Sequence, residues 1–147
     1  MSKKYLVTGG TGFIGSAIIK RLLLNKNNKI ISFDSNIRGD LKKLGNNIKK
    51  IKVITADIRD SSSLIKASKG VDSLIHLAFL NGTEYFYKKP DLVLDIGVRG
   101  IINVIDACKK NEIKELILAS SSEVYQKANI IPTPENTPFN IPDVFNP

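Results

Sequence analysis

Thr8-Gly9-Gly10-Thr11-Gly12-Phe13-Ile14-Gly15 sets Gly9, Gly12 and Gly15 three residues apart, where an apolar run gives way to a helical pattern. The run before it, Tyr5-Leu6-Val7, predicts a strand over residues 3–8. After it, Phe13, Ile14, Ala17, Ile18, Leu22 and Leu23 recur at helical spacing and predict a helix over 13–25. Strand, glycines and helix in that order form a dinucleotide phosphate site. Gly9 supplies a tight turn, Gly12 lets the main chain approach a pyrophosphate, and Gly15 allows close packing of helix on strand. The phosphate charge then meets free N–H groups at the positive end of the helix dipole.

Further along, a second apolar run, Lys29-Ile30-Ile31-Ser32-Phe33, ends in Asp34, nineteen residues after Gly15. A dinucleotide-binding unit places its ribose-binding acid at about this distance. A carboxylate there favours NAD, because it repels the 2′-phosphate of NADP. Arg38 stands nearby and can pair either with such a phosphate or with Asp40. Asp34 can also be read more simply, as a turn cap.

The remaining runs repeat the alternation. A polar segment with a short helix near 41–44 leads to a third strand over 51–55, closed by Asp57-Ile58. Asp60 or Ser61 can cap the next helix, which Gly70 ends. A fourth strand over 71–76 delivers His76-Leu77-Ala78, and an aromatic loop over 79–89 follows. A long helix starts at Pro90, a residue suited to a first helical turn. A fifth strand, Glu115-Leu116-Ile117-Leu118-Ala119, runs into Ser120-Ser121-Ser122. Alternating strands and helices imply right-handed crossovers and a doubly wound parallel sheet of the Rossmann type, strand order 3-2-1-4-5. Thr8, Asp34, Asp57, Ala78 and Ser120 all fall at its carboxyl edge, where such sheets bind ligands. Residues 1–125 are expected to form this domain, and 126–147, rich in proline, an irregular segment at the active site or surface.

With 147 residues, 42% of them hydrophobic, the chain suits one α/β domain with a real core. No run reaches membrane-spanning length and the first strand follows the N-terminus at once, so a cytoplasmic protein without a membrane partner is expected. One cysteine, Cys108, excludes an internal disulfide and sits among apolar helix residues. The net charge of +8 comes from lysines spread along the chain and mixed with Ile and Asn, which argues against a nucleic-acid partner. No metal site is expected.

Taken together, these residues resemble the extended short-chain dehydrogenase/reductase family, the NAD-dependent epimerases, dehydratases and decarboxylases of nucleotide sugars. The resemblance spans essentially the whole chain. It implies that Gly9, Gly12, Phe13, Ile14 and Gly15 form the phosphate loop and that Asp34, with Ser35 and Asn36, holds the adenosine ribose. It implies further that Asp57 and Ile58 contact adenine and that Leu77 and Ala78 lie beneath the cofactor. Ser121 matches the Ser/Thr that bonds the reacting sugar hydroxyl, and Ser122 and Glu123 fall where some members keep an acid or Ser-Glu pair. Singly, Asp57 can be a turn residue, His76 a core histidine, the serines a polar loop, and Glu123 a surface acid. Two positions depart from the family pattern. Gly97 stands where the long helix usually carries an Asn, which points to close packing or a bend, and Gln126 stands where a Gly is more usual.

The family reaction also needs a tyrosine and, one helical turn later, a lysine that lowers its pKa. No Tyr-x-x-x-Lys follows the serine loop. Tyr85 and Lys89 have the spacing but precede that loop, and Pro90 disfavours helical geometry at Lys89. Phe145-Asn146-Pro147 resembles the sequence just before the family's tyrosine, and members of the family are longer. The expectation is therefore the NAD-binding half of a larger enzyme, lacking the C-terminal strands and substrate domain and inactive as given. The parent would act by transient hydride transfer to bound NAD on a UDP-, GDP- or dTDP-linked sugar, as a homodimer. The alternatives are a non-catalytic NAD-sensing or interaction module, and a family reductase or dehydrogenase acting on a non-nucleotide substrate.

Overall fold

The computed structural model describes residues 2–125 and 128–139. Five strands, β1 (Lys4–Thr8), β2 (Lys29–Asp34), β3 (Lys52–Thr55), β4 (Ser73–His76) and β5 (Glu115–Leu118), form one sheet in the order β3-β2-β1-β4-β5. All four pairings are parallel, and the order is the expected one. The central strands are apolar on both sides because helices cover both faces, as parallel sheets require. Leu6, Val7, Leu74 and Ile75 in the middle of β1 and β4 are all buried.

The two covering layers are unequal. On one face, α2 (Ser61–Ala67) and the helix running from α4 (Pro90–Leu94) into α5 (Gly100–Lys110) pack Leu64, Val93, Ile96, Val104 and Ala107 against Leu6, Phe33 and Leu74. On the other, α1 (Phe13–Leu22) and a 3-10 segment (Leu41–Lys50) enclose a smaller cluster of Val7, Ile19, Ile30, Leu44 and Ile75. At the sheet edge, Leu116, Ile117 and Leu118 of β5 are exposed.

Local chemistry explains where the elements depart from the pattern in the sequence. α1 stops at Leu22, short of Asn25, because the Asn28 side chain donates to the Leu22 carbonyl (2.9 Å) and turns the chain into β2. Its buried face is Gly15, Ser16 and Ile19, and Phe13 and Ile14 point into solvent. The 3-10 segment is longer than expected and breaks at Gly45, whose φ of 55° lies in the left-handed region. Asp60, rather than Ser61, caps α2 by accepting from the Ser63 N–H (3.0 Å). The aromatic loop contains a short helix, α3 (Thr83–Lys88). The long helix does begin at Pro90, but a wide π turn (Asp95–Arg99) interrupts it. Residues 128–139 form neither helix nor strand, and Gln126 and Phe145-Asn146-Pro147 lie outside the described residues.

Leu74 lies between β1 and β5 with no exposed surface. Leu74→Ala is expected to lower stability by about 2–5 kcal/mol, measured by urea unfolding, because the rigid sheet around it cannot close the cavity.

Candidate functional site

The glycine loop is built by two contacts that exclude side chains. Gly9 adopts φ 70°, and a Cβ on it would stand 2.9 Å from the Ala78 nitrogen, while a Cβ on Gly15 would overlap the Gly9 carbonyl oxygen. Helix α1 therefore sits directly against the turn that follows β1. Gly12 caps α1 with no side chain bonding the first-turn N–H groups, and only the Gly9 oxygen (3.1 Å) lies near where its Cβ would project. That open cradle of backbone donors fits a pyrophosphate. Phe13 and Ile14 have exposed side chains, so they bring backbone N–H groups rather than packing to the cradle.

Asp34 closes one side of the cradle. Its Oδ2 accepts the Thr11 N–H (3.0 Å) and its Oδ1 the Asn36 N–H (2.8 Å), so the carboxylate is oriented while lone pairs remain for ribose hydroxyls. Asn36, at φ 59°, takes the left-handed conformation that Asn tolerates; its side chain accepts from the Thr11 hydroxyl (2.9 Å) and donates to Thr55 Oγ1 (3.3 Å). Ser35 lies between them, partly buried. Arg38 lies over the Tyr85 ring, 6.0 Å from its centre, and Asp40 accepts the Lys42 N–H, so the two do not pair with each other.

The opposite side of the cradle depends on one hydroxyl. Thr8 Oγ1 receives the N–H groups of Leu77 (3.1 Å) and Ala78 (3.2 Å) and lies 2.8 Å from His76 Nδ1. The Leu77 N–H is shared with the Thr8 carbonyl (3.3 Å); with two N–H groups on Oγ1 the arrangement favours donation of the hydroxyl proton to Nδ1, which places the His76 proton on Nε2. Burial pushes the His76 pKa down to about 4. His76 is the core histidine of the simpler reading, and it holds the Leu77–Ala78 segment in place through Thr8.

At the end of β3, Asp57 accepts from Arg59 through Nη2 (2.6 Å), Nε (3.0 Å) and the backbone N–H (2.8 Å). These bonds hold its carboxyl below the usual range. Ile58 is buried against the long helix. At the end of β5, the Ala119 N–H donates to the His76 carbonyl (3.3 Å), which brings the serine loop beside Leu77. Ser121 is exposed and accepts the Glu123 N–H (3.3 Å), and Ser122 and Glu123 begin a short 3-10 turn (Ser122–Tyr125). Gly97 lies in the π turn, and the Phe79 ring fills the place of its missing side chain, 2.8 Å from where a Cβ would be. Of the two effects expected of that glycine, the close packing is present. Lys89 has φ −143° and ψ 53°, so Tyr85 and Lys89 do not share a helix.

Thr11, Arg59 and Asp95 are site residues that the sequence pattern did not single out. Only Thr11 carried a signal, since it lies between the glycines. Among the described residues no group of three or more His, Cys, Asp or Glu is placed to hold a metal, and no helix is long and apolar enough to cross a membrane. A cleft of about 470 Å³ at the amino ends of β1–β3, opposite the glycine loop, is lined by Lys4, Lys29, Lys50, Lys52, Lys66 and Lys69. Two of these serve the end of α2, where Lys66 occupies the last turn and Lys4 Nζ donates to the Lys69 carbonyl (2.6 Å).

Sheet order, glycine turn and ribose-side acid define a dinucleotide-binding domain at the carboxyl edge of a doubly wound sheet. A profile of the NAD dependent epimerase/dehydratase family matches residues 5–144, and the chain belongs to that family, whose cofactor is NAD. It is 38% identical over 138 residues to a putative UDP-glucose 4-epimerase of Methanocaldococcus jannaschii, covering 92% of this chain and 44% of that protein. It is 33% identical to an inverting UDP-N-acetylglucosamine 4,6-dehydratase of Campylobacter jejuni, covering 87% of this chain and 39% of that one. Among solved structures, a UDP-N-acetylglucosamine 4-epimerase from Methanobrevibacter ruminantium, in complex with UDP-N-acetylmuramic acid, superposes with a TM-score of 0.83 at 33% identity. That match covers 95% of this chain and 44% of the other. The chain thus spans less than half the length of these relatives.

His76 is expected to remain neutral, with its proton on Nε2, from pH 7 down to about 4. Unfolded, it takes a proton near pH 6.5, so its contribution to stability is complete above that value and is lost as pH falls from 6.5 towards 4. The ¹⁵N shifts of the imidazole check this, and a folded-state pKa near 6.5 contradicts it.

Proposed function

We propose that the chain is the cofactor-binding part of a nucleotide-sugar epimerase or dehydratase acting on a UDP-linked sugar. The observation that carries this reading is the arrangement at one sheet edge of an open phosphate cradle, an oriented Asp34 and the Ser121 loop. The relatives named for UDP-sugar epimerisation and dehydration support the substrate class. GDP- and dTDP-linked sugars are the alternatives within the same class.

When bound, NAD supplies a hydride acceptor for a sugar carbon and later returns the hydride. The chain's own residues hold and orient. The Gly12 N–H closes the turn by donating to the Gly9 carbonyl (3.0 Å), the backbone N–H groups from Phe13 to Gly15 bind the pyrophosphate, and Asp34, with Ser35 and Asn36, holds the adenosine ribose. Asp57 and Ile58 contact adenine, while Leu77 and Ala78 lie beneath the cofactor. Ser121 bonds the reacting hydroxyl, and Ser122 and Glu123 stand next to it. Proton exchange with that hydroxyl falls to a Tyr-x-x-x-Lys pair, which does not follow the serine loop within these residues. The longer protein is a homodimer in this reading, joined through Leu94, Val98, Ile102 and Ile105, exposed apolar residues spaced three or four apart along the long helix.

The 147-residue chain is expected to bind NAD and to show no interconversion of UDP-glucose and UDP-galactose. The reading frame continued past Pro147 is expected to encode a Tyr-x-x-x-Lys and to restore turnover by at least about 10²–10⁴-fold, the usual worth of a positioned acid–base. Turnover by the short chain, or a continued frame without that pair, overturns the reading. For the dimer, Val98→Glu together with Ile102→Glu is expected to give monomers of the longer protein by light scattering.

A further inference from the structure

Asp57 is attached to the rest of the molecule through Arg59. The Arg59 guanidinium takes Asp57 on one side and, through Nη1, Asp95 Oδ2 (2.8 Å) on the other, while Asp95 Oδ1 accepts Arg99 Nε (2.7 Å). Asp95 and Arg99 are the two ends of the π turn. Two further contacts fasten the same segment to the same helix. Asn103 Nδ2 donates to the Ile58 carbonyl (3.0 Å), and a Cβ on Gly100 would stand 2.9 Å from Ile58 Cγ2.

The hydrogen-bond capacity of Asp57 gives this attachment a consequence. Oδ1 accepts two N–H groups of Arg59, its backbone N–H and Nε–H, and Oδ2 accepts one from Nη2. A carboxylate has about four acceptor positions, so about one remains, on Oδ2. Its direction is set by the planar guanidinium fork, and Asp95 fixes that fork. One oriented anionic acceptor selects a donor: it receives an exocyclic amino N–H and repels a carbonyl oxygen in the same place.

We propose that Arg59 and Asp95 are positioning residues of the adenine subsite, holding Asp57 as a single directed acceptor that distinguishes a 6-amino purine from a 6-oxo purine. The proposal rests on the reading that Asp57 and Ile58 face the adenine. It explains why the π turn carries charge: Asp95 tethers the adenine side of the cofactor to the long helix, and Gly97, two residues on, receives Phe79 from the segment after Ala78.

The test compares binding of NAD with binding of nicotinamide hypoxanthine dinucleotide, in which a 6-oxo group replaces the amino group, by the chain and by its Arg59→Gln and Asp95→Asn variants. The parent chain is expected to prefer NAD by about tenfold, a charge-assisted hydrogen bond's worth. Arg59→Gln is expected to reduce that preference to near unity. Asp95→Asn, which leaves the Asp57–Arg59 pair in place, is expected to reduce it in part. A merely structural role weakens both dinucleotides equally and leaves the ratio unchanged, and that result overturns the proposal. If the parent chain binds NAD with no preference, Asp57 does not read the base and the proposal fails while the cofactor reading stands. If the parent binds neither dinucleotide, both fail. Melting temperatures of the variants, with binding measured well below them, separate unfolding from loss of discrimination.

Discussion

Between the first turn of α1 and the end of β1 there is no room for a side chain: a Cβ on Gly15 would overlap the Gly9 carbonyl oxygen, and a Cβ on Gly9 would press on the Leu77–Ala78 backbone. This double close approach sets the distance from helix to strand and the height of α1 above the sheet. It leaves the backbone N–H groups of Phe13 to Gly15 open, since Gly12 has no side chain to cap them. The phosphate cradle is thus a result of packing.

Around that cradle, short polar side chains join neighbouring strands. Thr8 ties β1 to the segment after β4, and Asp34 and Asn36 tie the end of β2 to the glycine loop and to β3. Each residue uses part of its hydrogen-bonding capacity within the protein. The groups left over, lone pairs on Asp34 and about one acceptor position on Asp57, are therefore few and directed. Preorganised groups of this kind bind without being reordered, which is how a small edge can hold a large flexible cofactor. The long helix gives further support, because its π turn and the residue pairs beside it contact both the Asp57 segment and the Phe79 segment.

Much of the fold was legible in the sequence. Five apolar runs, punctuated by glycine, aspartate and proline, yielded the element order and the parallel sheet, and right-handed crossovers then left few topologies to choose among. Helix ends were harder, since α1 was ended by Asn28, a residue outside its own pattern. Spacing also left the buried face of α1 undecided. Phe13 and Ile14 belong to its apolar stripe by spacing, yet they project past the sheet into solvent. Helical periodicity identifies a stripe, but burial depends on what the stripe meets. Arg38 shows the same limit, for its neighbours in sequence left it open between a 2′-phosphate and Asp40 while the fold placed it on Tyr85.

Sequence alone determined the properties that reside in a few consecutive residues: the turn at Gly9, the helix start at Pro90, and the placing of Thr8, Asp34, Asp57, Ala78 and Ser120 at strand ends. It also carried the family, because those residues occur in a fixed order. Tertiary structure alone decided the neutral state of His76, which follows from its burial, the contact of its Nδ1 with a hydroxyl 68 positions away, and the clamp of Arg59 between Asp57 and Asp95. It also gathered lysines scattered along the chain around one cleft at the amino edge. The physical reason is range. Backbone conformation and periodicity are set by near neighbours, whereas hydrogen-bond partners and local charge depend on which strands lie side by side, and that is settled only when the sheet assembles.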